Sequence, residues 1–324
     1  MNFKFLFDYF RKCIKLCNEV SDISNNIRLY TYYDFLKSAL LHGCLIRQYR
    51  YGGFYKMKGC ERRAVITYPR MLKIYKKCND PGYVHLLENK AEFNKHFASL
   101  INRIWIYSRD MSLQDLRDLC KQSSDIIITP LNGVEGRGVS LMHVADMSDA
   151  EINALYTQLA QQDVMVEQKI EQHPAMILGS KSVNTIRVHT LLDKNGGVHV
   201  FKTVLRAGVG DTVVDNYCAG GCVYEIDSAT GVVVSRSLTK LHIEYLYHPG
   251  TDICMLGYRI PNWDCVIQNV QKAARLLPQC RLIGWDIAIT NDGTEFIEGN
   301  ENPDYELLEF FGTGGWFKKL KQYL

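Results

Sequence analysis

Metal-binding cysteine pairs are missing from this chain: its eleven cysteines include no CxxC and no Cys/His spacing of the zinc type, and Cys218 and Cys222 stand too isolated to make one. The odd count and the lack of any such framework point to a reduced, cytoplasmic setting. A strong charge of one sign is also missing. The net charge of +3 is slight and the basic residues are scattered, which argues against nucleic acid as a partner. No apolar run approaches the ~20 residues that cross a bilayer, and the first ~110 residues hold no repeat and no low-complexity linker. The Gly-Lys-Ser/Thr of a P-loop does not occur, nor does a dinucleotide fingerprint that leads straight into a helix.

What is present is organised around Ile283 to Asp304, IGWDIAITNDGTEFIEGNENPD. Two runs of period two flank Asn291-Asp292-Gly293, which reads as a β-hairpin with a three-residue loop and Gly in the left-handed position. In that register Thr290 faces Thr294 and Asp286 lies opposite Glu298, with Asn300 further along the same face. Trp285, Ile287, Ile289 and Ile297 take the other, apolar face. A two-residue turn would slip the register by one and send Asp286 to the wrong side. Two adjacent carboxylates repel unless a cation lies between them, and hard oxygen ligands suit Mg²⁺ with phosphate oxygens as its remaining ligands. The alternative is a hairpin whose polar face is simply solvated.

The first ~110 residues read as mainly helical and then mixed. Near the N-terminus Phe3, Leu6, Phe7, Phe10, Ile14 and Cys17 line one face of a helix, and Lys4, Arg11, Lys12 and Lys15 lie elsewhere. Such a helix can lie on an anionic membrane or pack against its own protein. Arg47 to Thr67 is dense in Arg, Lys and Tyr, suited to binding a phosphate or sugar or to ordinary packing at a domain edge. Leu86 to Phe97 has helical spacing, with Lys90 near its start.

From Asn102 strands and helices alternate: a strand over Ile104 to Tyr107, a helix capped by Ser112 and a strand over Asp125 to Ile128. Between Pro130 and Val139, Gly133, Gly136 and Gly138 read as a glycine-rich loop between strands, able to wrap phosphates with backbone N–H groups. Further strands and a helix follow, ending in Val164 to Ile170. Alternation over Ser182 to Thr190 and Thr203 to Arg206 places Arg187 and Arg206 on neighbouring strands. There they can grip phosphate or carboxylate, or form surface salt bridges. Asp215-Asn216 and Gly220-Gly221 suggest a tight loop, and Val266 to Leu277 a helix.

Taken in order, the glycine loop, VEQKIEQHP, SVNTIRVHT, the VDN…GG segment and IGWDIAITNDGTEFIEGN resemble the ATP-grasp superfamily. The closest likeness is to the sugar-transfer-associated ATP-grasp proteins of polysaccharide biosynthesis clusters, and it covers residues 85 to 304 well. The resemblance implies an α+β fold in which two α+β subdomains enclose ATP, preceded by a mainly helical N-terminal region. The expected division is residues 1–100, a flap subdomain at 101–170 and a catalytic subdomain at 171–324.

The implied activity is carboxylate–amine ligation through an acylphosphate, with ATP and Mg²⁺. Asp286, Glu298 and Asn300 match the metal positions, and Arg187 and Arg206 the groups that grip the γ-phosphate and acyl oxygen. Lys90, Gly133, Gly136 and Gly138 match the phosphate contacts, Glu167, Gln168 and Ile170 the adenine linker, and His173 or Glu171 the ribose contact. The implied partners are small-molecule or sugar-linked carboxylates and amines; the amphipathic pattern of the N-terminal helix, not the resemblance, adds the expectation of peripheral contact at the inner face of the membrane. One departure stands out: Thr129-Pro130 replaces the Lys-Pro of many relatives, and Arg137 is a candidate substitute for the lost charge. With the basic aromatic ends, the N-terminal helix and Trp316 to Lys321, that departure motivates a rival, a non-catalytic nucleotide-binding scaffold; a third option is ATP-dependent phosphorylation without ligation.

Overall fold

The computed structural model describes residues 3–131, 138–180, 182–210, 220–239, 243–309 and 315–324. Gly133, Gly136, Arg137, Asp215, Asn216 and Cys218 lie outside the described residues. The chain divides into two compact units, Met1–Cys78 with Pro303–Leu324, and Asn79–Asn302. Residues 303–324 thus belong with the N-terminal unit, not with the stretch from 171 to which the expected division assigned them.

In the first unit α1 (Phe3–Ser24) and α2 (Arg28–His42) are followed by shorter helices at Ile46–Arg50, Gly59–Ala64 and Tyr68–Cys78, then Tyr305–Glu309 and Trp316–Lys321. Its core gathers Leu16, Cys17, Val20, Phe35, Ile46, Tyr49, Phe54 and Val65. Here Arg47 to Thr67 serves packing: Tyr49 and Phe54 are buried, and Arg62 makes a forked pair with Asp34 at 2.7 and 2.8 Å. Arg47 and Arg50 are paired with Glu306 and Glu19.

The second unit holds two sheets. The smaller has the order β1-β4-β2-β3 (Trp105–Tyr107, Val164–Gln168, Asp125–Pro130, Ser140–His143). One face packs Ile126, Ile128, Val164 and Val166 against the helices Leu113–Gln122 and Asp149–Leu159. Each helix starts at a serine cap, Ser112 or Ser148, whose hydroxyl accepts from the backbone three residues on. The larger sheet has the order β11-β10-β5-β6-β7-β8-β9. Its strands are β5 (Thr185–Leu192), β6 (Val198–Ala207), β7 (Cys222–Ile226), β8 (Ser237–Thr239), β9 (Glu244–Tyr245), β10 (Leu282–Thr290) and β11 (Gly293–Asn300).

Alternation sorts the large sheet's residues cleanly. Ile186, Val188, Leu205, Tyr224, Trp285, Ile287 and Phe296 pack against Val266, Val270 and Ala273 of the helix Trp263–Leu276. Each such side chain, fully buried, contributes roughly 1.5–3 kcal/mol. That leaves Arg187, His189, Lys202, Arg206 and Asp286 together on the opposite face. The helix expected over Leu86 to Phe97 is broken in two, His85–Glu88 and Lys90–His96. Asn89 interrupts it because its side chain accepts from the N–H groups of Ala91 and Glu92, capping a new start just before Lys90.

Candidate active site

The hairpin closes more tightly than its sequence suggests. Thr290 pairs with Gly293, whose φ is +138°, so the loop is the two residues Asn291 and Asp292, and Ile287 pairs with Phe296. An unbroken ladder from that turn would set Asp286 against Ile297. Instead the register shifts between Asp286 and Ile287, leaving Ile297 as an unpaired bulge residue and restoring Asp286 opposite Glu298 and Gly284 opposite Asn300. The bulge also corrects the core: Phe296 is fully buried, while Ile297, expected there, is only partly so.

Behind the acids the backbone is pinned. A Cβ on Gly299 would come within 2.7 Å of Leu87, 3.1 Å of Phe93 and 3.3 Å of Trp285, so only glycine fits between Glu298 and Asn300. Trp285 is held edge-on by Phe97, and its indole N–H donates to Thr190 Oγ1 at 2.8 Å.

Around this frame the charges converge. Arg187 of β5 donates to both oxygens of Asp286, the Nη2–Oδ2 contact being 2.6 Å, and Arg206 of β6 donates to Oδ2 at 2.6 Å. Burial would raise the Asp286 carboxyl, but the charges of Arg187 and Arg206 outweigh it and hold the group well below the usual carboxylate range. Glu298 is pushed the other way, by its enclosure and then by the negative charge of Asp286. Lys90 Nζ is 3.8 Å from Glu298 Oε2, and Arg187 Nη2 is 3.9 Å from Oε1. Asn300 donates through Nδ2 to Gly284 O and Glu298 Oε1, bonds that leave its carbonyl oxygen unused.

Thus Asp286, Glu298, Asn300, Arg187, Arg206 and Lys90 come together. The adenine-linker residues sit differently from one another. Glu167 Oε1 accepts from Arg103 Nε at 3.0 Å, Arg103 Nη2 at 2.8 Å and Asn94 at 3.3 Å. The N–H groups of Gln168 and Lys169 are used on Ile104 O and Asp125 O. Ile170 lies just beyond the strand end. His173 accepts from Ala175 N–H through Nδ1 and starts a short 3₁₀ turn. Gly138 has φ +79°, and a Cβ there would lie 2.8 Å from Pro130 Cγ. Thr129 is buried and pairs with Met165.

Two groups escaped the sequence reading. Arg103, its side chain nearly enclosed, links β4 to β11: besides Glu167 it donates to Glu295 Oε1 at 2.6 Å and Phe296 O at 2.7 Å. Its partners lie 64 and 192 residues away, so no local spacing reveals it. Lys202, buried and 2.5 Å from Glu225, was legible, since it shares the alternation of Arg206 on β6.

His189, beside Arg187, is fully buried, and neither ring nitrogen finds a hydrogen bond among the described residues. Burial, then the charge of Arg187, pull it down to about 3. A lowered folded-state value means neutral His189 supports the fold above its unfolded value of ~6.5, and that support is lost as pH falls toward 3. The melting temperature should drop by roughly 4 °C between pH 6.5 and 5. His189→Gln should flatten that slope, as measured by calorimetry across pH.

With this geometry in place, the fold is that of an ATP-grasp protein. The model of the sugar-transfer-associated ATP-grasp family matches residues 70–323, and the chain belongs to that family. Among solved structures it is similar to the ATP-grasp ligase PsnB complexed with precursor peptide PsnA2 and AMPPNP, at 15% identity over 76% of this chain and 61% of that one, TM-score 0.44. D-alanyl-alanine synthetase A from Vibrio cholerae O1 biovar eltor is similar at 15% identity over 76% and 68%, TM-score 0.43. The L-amino acid ligase of Bacillus licheniformis is similar at 14% over 67% and 41%, TM-score 0.39. The chain spans 58% of the length of PsnB in its complex with a phosphomimetic precursor, Mg and ADP. No curated protein matches it.

Proposed function

We propose that the protein is an ATP- and Mg²⁺-dependent ligase that joins a carboxylate to an amine through an acylphosphate, acting on a sugar-linked or amino-acid precursor of a surface polysaccharide. The observation that carries this reading is the placing of Asp286 and Glu298 directly opposite each other, with Asn300, two arginines and a lysine around them. The donor set fits a hard divalent cation. It offers two carboxylates and an amide oxygen on one face, and Glu298 is pushed up by burial and then by the negative charge of Asp286, a repulsion that a cation between them would offset. When bound, Mg²⁺ would neutralise charge on the phosphates.

The chain's own residues would then do the following. Arg187 and Arg206 hold the attacking carboxylate and the γ-phosphoryl in line, and Lys90 steadies the phosphates. A carboxylate oxygen attacks the γ-phosphorus, the bond to the β-phosphate oxygen breaks and ADP leaves. The amine nitrogen then attacks the acyl carbon, phosphate departs with the bonding pair and the nitrogen loses a proton. Fixed guanidinium charges aimed at the developing negative charge lower both barriers. With Glu167 held by Arg103 and the Gln168 and Lys169 N–H groups used in the sheet, contact with the adenine edge is assigned to Ile170. Contact with the ribose falls to His173 Nε2, since Nδ1 is occupied. The sugar role rests on the family's description alone.

The test is incubation with ATP, Mg²⁺ and pooled carboxylates and amines, following ADP and phosphate. Amine-dependent release of both is expected. Bound ATP that never turns over would replace this reading with the nucleotide-binding scaffold, and a stable phosphorylated product formed without amine would replace it with the kinase. Thr129, buried in place of a lysine, is the feature favouring the scaffold.

A further inference from the structure

We propose that the outward face of α1 and α2 docks on the surface of an anionic phospholipid bilayer. The pattern of α2 is inverted relative to an ordinary surface helix. Thr31, Asp34 and Ser38 point inward with Phe35, whereas Leu29, Tyr33, Leu36 and Leu40 form one outward stripe, Leu29 being 78% and Leu40 86% exposed. This orientation is locked from within. Arg62 forks onto Asp34, Tyr49 donates its hydroxyl hydrogen to the same carboxylate, Arg62 also reaches Ser38 Oγ, and Thr31 meets the Ser21 hydroxyl. The leucines cannot turn inward without breaking a buried forked ion pair.

Helix α1 carries an exposed apolar stripe of its own. Among the described side chains of the predicted face, Leu6, Phe7, Phe10 and Ile14 are exposed and Cys17 packs inward. The helices run antiparallel, as the pairs Asn18–Tyr32 and Ser21–Thr31 show. Phe10 and Ile14 share a stripe of α1 with Cys17 and Ser21, which turn inward, so the outward side of α1 carries the exposed Lys12 and Lys15 beside the leucines of α2.

Charge decides the occupant. From Phe3 to Lys15 there are four basic residues, Lys4, Arg11, Lys12 and Lys15, against the single acid Asp8. The only acid of α2, Asp34, is consumed by Arg62. Arg11 lies over the ring of Phe7 at 5.1 Å, and Lys37 over that of Tyr33 at 5.8 Å. Cationic heads beside exposed aromatic and leucine side chains complement an anionic headgroup layer over acyl chains. A second copy of the same face would set like charges against each other. No described helix is long and apolar enough to cross a membrane, so the contact is with the surface.

Flotation of the full chain with vesicles tests this. Strong binding is expected to vesicles of equimolar phosphatidylglycerol and phosphatidylcholine, at least roughly tenfold above pure phosphatidylcholine, and weakening with salt. Leu36→Glu with Leu40→Glu should cut binding at least roughly tenfold, and Lys12→Glu with Lys15→Glu about fivefold per charge. Circular dichroism and the thermal midpoint should stay unchanged, because these side chains make no core contact. Equal binding of wild type and variants would overturn the proposal, as would no binding by folded protein. So would self-association in sedimentation velocity that the leucine variant abolishes, if vesicle binding were absent, since a second copy would then cover the face.

Discussion

Replacing Glu298 with Gln is expected to abolish ATP turnover, by on the order of 10²-fold or more, with no loss of fold. The glutamine keeps the shape and one oxygen but removes the charge that would complete the cation site. It also removes a charge that burial, and then repulsion from Asp286, already disfavour in the folded chain. The melting temperature without ligands should therefore hold or rise slightly, while ADP release under saturating ATP disappears. Wild-type turnover in this variant would remove Glu298 from the metal assignment. A collapse of the fold is not expected, because Glu298 is 38% exposed in its side chain and the hairpin is fixed from its other face by Trp285, Phe296 and Gly299.

The second large effect concerns stability. Arg103→Met should destabilise the second unit by on the order of 3 kcal/mol, because it strands the buried carboxylate of Glu295 and the largely enclosed one of Glu167. Burial alone would raise Glu167, but the charges of Arg103 and Lys90, with hydrogen bonds from Arg103 and Asn94, bring it below the usual value. A lowered carboxylate supports the fold above its unfolded value, ~4.3, and that support is lost as pH falls further. Removing Arg103 should reverse this, so that the variant regains stability toward acid pH as Glu167 takes up a proton. Urea unfolding at neutral and at mildly acidic pH measures both effects. A midpoint unchanged from wild type at neutral pH would show that the two acids find other partners.

These two residues mark how far local pattern carries. Alternation over Ser182 to Thr190 and Thr203 to Arg206 placed both arginines on neighbouring strands, because a strand's period of two is a property of neighbours; that they share a face came from the register of β5 with β6. Asp286 does face Glu298, although the three-residue loop that predicted it is absent; the two-residue turn and the bulge are each invisible to a count that assumes an unbroken ladder. Arg103 was illegible because its meaning depends on acids contributed by two distant strands. The outward leucines of α2 were hidden for a related reason. A helix with Thr31, Asp34 and Ser38 on one side and leucines on the other looks ordinary until Arg62 shows which side is inside.

The bulge at Ile297 has one further implication, for how the hairpin can vary. The short turn and the extra residue behave as a pair of compensating frameshifts, one subtracting a position and the other adding it back. Loop length at Asn291 and Asp292 is therefore tied to a residue half a strand away. Changing either element alone would present the wrong side chain to Asp286, whereas changing both in step would leave the two acids facing each other.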